Sequence, residues 1–208
     1  KLLKLFAITL TYLMLTNMAF AKKVYEKQDP PRELTLEQAS TAASNYQKYC
    51  VLCHGENREG HKNDHAPSLR AKSLFESGVP HSILRPISYG REGTAMGGYL
   101  DEMGGPMTLD EVWDLTYWLF WQSGAQRVKL SENPDMGFFD GRLSVLAEVY
   151  QKNCATCHGV NGEGVNAPAL GNQSALAHNK DEFIRYAIEH GRQVIQRILS
   201  NRRHSFKN

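Results

Sequence analysis

One five-residue pattern occurs twice in this chain and uses all four of its cysteines. Residues 50–54 read Cys-Val-Leu-Cys-His and residues 154–158 read Cys-Ala-Thr-Cys-His, an offset of 104 positions. Each copy places two thiols three residues apart and an imidazole directly after the second thiol. Any fold of this chain must therefore present two equivalent sets of these three groups.

This Cys-x-x-Cys-His pattern is typical of covalent haem attachment. Two thiols at this spacing can add to the two vinyl groups of one haem, and the histidine then binds the iron from below. We therefore predict two covalently attached haem c groups, with two iron-ligating histidines. The predicted binding residues are Cys50, Cys53, His54, Cys154, Cys157 and His158.

Two other interpretations of the cysteines stay open at this point. Each pair could form a redox disulfide, although a thioredoxin-like motif follows a strand and these pairs follow helix-like stretches. The four thiols could bind zinc, although zinc ribbons usually bring their pairs together within roughly 15–20 residues.

The sequence around the two motifs is duplicated as well. Residues 46–50 match 150–154, residues 66–69 match 167–170, and Gly90-Arg91 matches Gly191-Arg192. The first match has an offset of 104 and the other two an offset of 101, so a three-residue difference in one loop reconciles them. We interpret this as a duplicated domain.

Hydrophobic periodicity predicts an all-α fold in both copies. Leu36, Ala39, Ala43 and Tyr46 form one side of a helix over 36–49, and capping boxes at Thr35/Gln38 and Thr108/Glu111 begin this helix and one over 109–122. A helix over 73–89 is expected to be broken by Gly78, Pro80 and Pro86. In the second copy we predict helices over 143–153 and 181–189.

The chain divides into four predicted segments. Residues 1–21 resemble a secretory signal, because Lys1 and Lys4 precede an apolar run that ends in Ala19-Phe20-Ala21. Residues 22–124 form the first domain, 125–141 a linker and 142–208 the second domain. A cleaved signal indicates export to the periplasm. An uncleaved signal would instead associate the chain with the membrane.

Charge excludes one class of partner. The chain has 24 basic and 22 acidic residues, and removal of Lys1 and Lys4 leaves 22 of each. Nucleic-acid binding calls for a net basic domain with a clustered patch. We therefore expect no nucleic-acid partner, and a docking surface for a redox protein would depend on local charge.

The combined motifs resemble the class I cytochrome c family. They are a tyrosine four residues before the first cysteine (Tyr46, Tyr150), Cys-x-x-Cys-His-Gly, Ala-Pro-x-Leu, Gly-Arg and a following methionine. The resemblance covers most of the first copy and at least half of the second, and it implies tandem cytochrome c domains. It also implies that Met96, after Gly-Arg-x-Gly-Thr, is the sixth iron ligand, with Met103 and Met107 as rivals. The family usually has Met-Pro where this chain has Met96-Gly97.

The second copy departs from this pattern. The position equivalent to Met96 is Arg197, which stays protonated and cannot bind iron, and no methionine follows Cys157. Residues 193–208 match no part of the last helix of the first copy, which indicates a truncated, frame-shifted or divergent domain. Histidine candidates for the sixth ligand are His178, His190 and His204; the alternative is an open or water-ligated iron.

From these residues we expect an electron carrier and not an enzyme. Its redox partners would be a dehydrogenase or quinol-oxidising complex and a terminal acceptor. Two alternatives remain: a peroxidase-like protein that binds a small ligand at an open second haem, and a cytochrome subunit of a larger oxidoreductase.

Overall fold

A computed structural model describes residues 26–27, 31–60, 66–130 and 143–191. The helices of the first copy are α1 (Leu36–Tyr49), α2 (Val51–His54), α3 (Lys72–Ser77), α4 (Pro80–Tyr89) and α5 (Leu109–Ser123). A 3-10 helix, Asp101–Met103, precedes α5. The helices of the second copy are α6 (Leu143–Asn153), α7 (Ala155–His158), α8 (Gln173–His178) and α9 (Asp181–His190). The order α1 to α4 thus recurs as α6 to α9, and the predicted all-α fold is confirmed.

The strands within the described ranges form a single short pair. Strand β1 (Glu26–Lys27) pairs antiparallel with β2 (Val128–Lys129). Because β2 lies in the predicted linker, the first residues of that linker return to the first domain. Arg127 supports this return, since its guanidinium lies 6.0 Å from the ring centroid of Phe120. The sequence did not predict this strand pair.

The core of the first domain lies where α1 packs against α5. Tyr46 and Trp118 contact each other across this junction, with ring centroids 5.4 Å apart. Helices α3 and α4 and the loop before α5 add the remaining apolar side chains. The buried core residues include Ala42, Tyr46, Phe75, Ile83, Leu84, Ile87, Leu100, Met107, Val112, Leu115, Leu119 and Phe120.

Both predicted capping boxes are present. The Thr35 hydroxyl accepts a hydrogen bond from the Gln38 backbone amide, and the Thr108 hydroxyl accepts one from that of Glu111. In return, the side chains of Gln38 and Glu111 accept from the backbone N–H of each threonine. The caps fix where α1 and α5 begin, and therefore set which residues meet between them.

Two details of the predicted helices are wrong. Leu36 is 92% exposed, because it lies in the first turn of α1, outside the buried face that includes Ala42 and Tyr46. Pro86 does not break its helix, since α4 runs through it from Pro80 to Tyr89. The buried side chains of Ile83, Leu84 and Ile87 offset the one backbone hydrogen bond that a proline removes.

The segment before α1 is fixed to α5. The Arg32 guanidinium forms an ion pair with Asp114, which is mostly buried. Asp114 also accepts a hydrogen bond from the Gln38 side chain at 3.3 Å. The indole N–H of Trp121 donates to the Arg32 carbonyl at 3.0 Å. Trp121 therefore packs on this segment, whereas Trp118 packs on Tyr46 of α1.

The predicted signal (1–21), most of the linker and the tail from residue 192 lie outside the described residues. Within the described ranges, no helix has the length and apolar character needed to cross a membrane.

Candidate functional site

The first motif lies at a sharp junction between two helices. Helix α1 ends at Tyr49, and Cys50 is both its C-cap and the residue before α2. Helix α2 places Cys53 and His54 one turn later. The second motif has the same arrangement, since Cys154 separates α6 from α7. The structure therefore brings both thiols and the imidazole of each motif to one turn.

One ring nitrogen of each motif histidine is held by a backbone carbonyl. His54 Nδ1 lies 3.0 Å from the carbonyl oxygen of Pro67, and His158 Nδ1 lies 2.8 Å from that of Pro168. Because a carbonyl only accepts, Nδ1 carries the proton and Nε2 carries the lone pair that binds a metal. This orienting hydrogen bond is the usual outer partner of a metal-bound histidine.

The turn after each histidine is fixed in the same way in both copies. Tyr46 donates a hydrogen bond to the Gly55 carbonyl at 2.7 Å, and Tyr150 donates to that of Gly159 at 2.8 Å. Gly55 has a φ of +81°, a region that favours glycine. A Cβ atom there would lie 2.4 Å from the Glu59 carboxylate.

Glu59 and Glu163 are residues of this turn that the sequence reasoning missed. The Glu59 carboxylate accepts from the Asn57 backbone amide at 2.9 Å, and that of Glu163 accepts from Asn161 at 2.8 Å. A hydrogen bond from its own backbone N–H, together with the one from Asn161, holds the pKa of Glu163 below its usual range. The repeated Gly-x-Asn-x-Glu-Gly after each histidine was the available signal.

The thiols differ in exposure between the copies. Cys50 and Cys53 are half-buried, and Cys157 is exposed. Burial, with Cys53 beside it, raises the pKa of Cys50 to about 11. At neutral pH this sulfur is therefore an uncharged thiol in an apolar environment.

Neither alternative use of the cysteines receives support. All four are free thiols in the structure, so neither pair forms a disulfide. Within the described ranges, no group of three or more His, Cys, Asp or Glu side chains is arranged to hold a metal ion. Each motif instead offers two unlinked thiols and one oriented imidazole, which are the protein groups that haem c attachment requires.

The three methionine candidates have different environments. Met96 is partly buried and packs against the core, as Cys50 does. Met103 is 60% exposed, and Met107 is completely buried in the core. Met107 is thus a packing residue, and Met103 points mainly to solvent. Of the three, Met96 has the environment expected of an axial ligand beside an apolar haem pocket.

Two histidine candidates of the second copy bond to their own helices. His178 Nδ1 lies 2.5 Å from the Ser174 carbonyl, and His190 Nδ1 lies 3.1 Å from that of Tyr186. His190 also stacks on the Tyr186 ring, with centroids 4.0 Å apart. His204 and Arg197 lie outside the described residues.

Arg91 is a further residue of the site to which the sequence assigned no role. Its side chain is half-buried, and burial lowers the pKa of its guanidinium. Among the described residues it forms no ion pair. A desolvated cation calls for an anion, and haem carries propionates. Arg91 lies on the same loop as Met96, whose carbonyl accepts a hydrogen bond from the Arg91 backbone N–H at 2.8 Å, and it would be a candidate to neutralise a propionate there.

Two family models match the chain, one over each copy of the repeat. Residues 37–119 match the model described as cytochrome C oxidase, cbb3-type, subunit III, and residues 147–205 match the model described as cytochrome c. The chain carries two tandem cytochrome c-like domains. A comparison with curated proteins finds no match. Cytochrome c domains bind haem c covalently and use its iron for electron transfer, so this chain is assigned to haem-based electron transfer.

Proposed function

We propose that this protein is a periplasmic dihaem c-type cytochrome. It passes single electrons between a donor, a dehydrogenase or quinol-oxidising complex, and a terminal acceptor. The observation that carries the proposal is the oriented histidine found in both domains: His54 on the Pro67 carbonyl and His158 on the Pro168 carbonyl. Two independent sites of this geometry support two haems.

The protein residues have separate tasks in this function. Haem c supplies a one-electron iron couple when bound. Cys50 and Cys53 would anchor it covalently, His54 and Met96 would ligate its iron, and Arg91 would neutralise a propionate. The second domain repeats the anchors and the histidine with Cys154, Cys157 and His158.

The axial pair in the first domain favours electron transfer over catalysis. Histidine and methionine together raise the reduction potential of a haem. With His54 and Met96 both bound to the iron, a small substrate would have no direct access to it. Met96 packs against the buried core of the first domain, and the protein would control the potential through ligand identity and burial.

Substitution of the proposed methionine ligand tests this assignment. We expect Met96→Leu to abolish the sulfur-to-iron charge-transfer band of the oxidised protein and to lower the reduction potential of one haem. Met103→Leu is the matched control, because Met103 is exposed, and it should leave both unchanged. Optical spectra recorded during a potentiometric titration provide both readouts. Loss of the band in Met103→Leu alone would transfer the ligand role to Met103.

A second candidate function is that of a cytochrome subunit in a larger oxidoreductase. The match of residues 37–119 to a model named for an oxidase subunit favours it. This function requires a stable complex with a catalytic protein. Purification of the natively expressed, affinity-tagged chain from its membrane and periplasmic fractions tests it. A monomer that exchanges electrons by itself would contradict it.

A further inference from the structure

Each domain makes a hydrogen bond to the loop that follows the middle helix of the other domain. From the second domain, the Asn172 side-chain amide donates to the Glu92 carbonyl at 2.9 Å. From the first domain, the Ser73 hydroxyl donates to the Gly191 carbonyl at 2.6 Å. The two contacts join residues 80 and 118 positions apart in sequence.

These contacts are related by the internal repeat. Asn172 is the N-cap of α8, and the equivalent helix α3 contains Ser73 in its first turn. Gly90 and Gly191 are the C-caps of the equivalent helices α4 and α9. Glu92 follows Gly90 by two residues. The start of one short helix therefore binds the loop after the middle helix of the other domain, in both directions.

The surface between these contacts is packed. Helix α3 lies against α9, where Tyr186 is 5% exposed and Ser73 is 2% exposed. The Tyr186 hydroxyl donates to the Glu76 carboxylate at 3.1 Å. Two side-chain contacts to backbone carbonyls and one buried tyrosine thus connect the domains, which is more than a single surface contact.

The loop that Asn172 contacts is the one that presents Met96. Its internal hydrogen bonds include Arg91 N–H to the Met96 carbonyl at 2.8 Å, Thr94 Oγ1 to the Arg91 carbonyl at 2.7 Å and Met96 N–H to Thr94 Oγ1 at 3.2 Å. Most of the loop is exposed, and Met96 is followed by Gly97 and Gly98, which give the backbone more freedom than proline would. A tether from outside the loop reduces the conformational freedom that it must lose to hold a ligand in place.

We infer that the second domain positions the axial ligand of the first: Asn172 holds the Met96 loop closed through the Glu92 carbonyl. Asn172 is a positioning residue, since it acts on the methionine through the loop backbone. The inference rests on the proposed function, in which Met96 is the sixth ligand. Its consequence is that the haem of the first domain depends on docking of the second domain.

The test is a titration of the oxidised, haem-loaded, full-length protein with imidazole. Imidazole nitrogen replaces the methionine sulfur on the iron, and loss of the sulfur-to-iron band reports the exchange. The loop that carries Met96 must open before imidazole can bind the iron, so the free energy of loop opening lowers the apparent affinity for imidazole. Removing one net hydrogen bond should raise the apparent affinity for imidazole about fivefold.

The informative variants are Asn172→Ser and Asn172→Asp. Asn172 Oδ1 also caps α8 by accepting from the Ala175 amide at 2.8 Å. Serine and aspartate keep such a cap but lack the amide that donates to Glu92. Asn179→Ala is the matched control, because the Asn179 amide donates to the Ala175 carbonyl within the same short helix. We expect both Asn172 variants to bind imidazole more tightly and Asn179→Ala to match the wild type.

Several results would overturn the inference. Wild-type imidazole affinity in both Asn172 variants would show that the bond does not hold the loop. An equal rise in Asn179→Ala would show that any loosening of α8 has the same effect. If the wild-type protein contains haem but lacks the sulfur-to-iron band, Met96 is not a ligand and the inference falls with that assignment. Absence of haem would instead contradict the proposed function.

Discussion

At the residue scale, the two sites are built from the same hydrogen bonds with different degrees of burial. Tyr46 is completely buried and donates to Gly55, whereas Tyr150 is half-buried and donates to Gly159. Burial is the main cause that raises the pKa of both tyrosines, which moves it further above neutral pH, where a tyrosine hydroxyl is in any case protonated. The two copies therefore form a natural comparison of one interaction in two environments.

This comparison makes a prediction for the tyrosines. Tyr46→Phe leaves the buried Gly55 carbonyl without its donor, and we expect it to lower the free energy of unfolding by about 1–3 kcal/mol. Tyr150→Phe removes a hydrogen bond that is only partly buried, so water can replace the lost donor and the loss of stability should be smaller than in Tyr46→Phe. Denaturant unfolding of the haem-loaded protein measures both. Equal losses in the two variants would contradict the difference in burial.

The two Cys-x-x-Cys-His motifs could be recognised in the sequence, whereas the backbone contacts that orient their histidines could not. Two thiols and a histidine at fixed spacing identify the attachment motif because the chemistry is local. The Pro67 carbonyl lies 13 residues from His54. Because every residue has a backbone carbonyl, the sequence does not show which one accepts the hydrogen bond from the histidine. Glu59 and Glu163 could have been predicted from the sequence, since both follow the histidine of their motif by five residues.

At the element scale, the first residues of α1 and α5 are set by capping side chains that can be recognised in the sequence. The Thr35 and Thr108 boxes were predicted from their spacing and are both present. The exposure of Leu36 and the continuity of α4 through Pro86 were not predicted. Both depend on tertiary packing, because a helix face is buried only where another element covers it.

The capping box at the start of α5 contains the charged side chain of Glu111, and we therefore expect its contribution to stability to depend on pH. The Thr108 backbone N–H donates to the Glu111 carboxylate and holds its pKa below the usual range. A group with a lowered folded-state pKa stabilises the protein when ionised, and this stabilisation is lost as the pH falls through that pKa. Stability from Glu111 should therefore be present at neutral pH and absent in strong acid.

Two substitutions separate the charge from the hydrogen bond. Glu111→Gln keeps a capping box, as Gln38 does in α1, and should cost about 0.5 kcal/mol at neutral pH. Glu111→Ala loses the box and should cost about 1 kcal/mol. Unfolding free energies measured from neutral to acidic pH provide the check. A gap between wild type and Glu111→Gln that stays constant with pH would refute the role of the charge.

At the scale of the whole molecule, the duplication was visible in the sequence and the pairing of the copies was not. Offsets of 104 and 101 revealed the repeat. The contacts between domains use Ser73, Asn172 and Tyr186, which belong to no recognisable motif. The pairing of β2 with β1 could not be predicted either, because a strand of two residues is too short to show an alternating hydrophobic pattern.

The central claim is that this single chain carries two covalently bound haems. The direct measurement is the intact mass of the purified, denatured protein, combined with its pyridine haemochrome absorbance per polypeptide. We predict added mass for two haem groups, and for one group in the Cys154→Ala/Cys157→Ala variant. A wild-type chain whose mass and absorbance correspond to one haem or none would contradict this account.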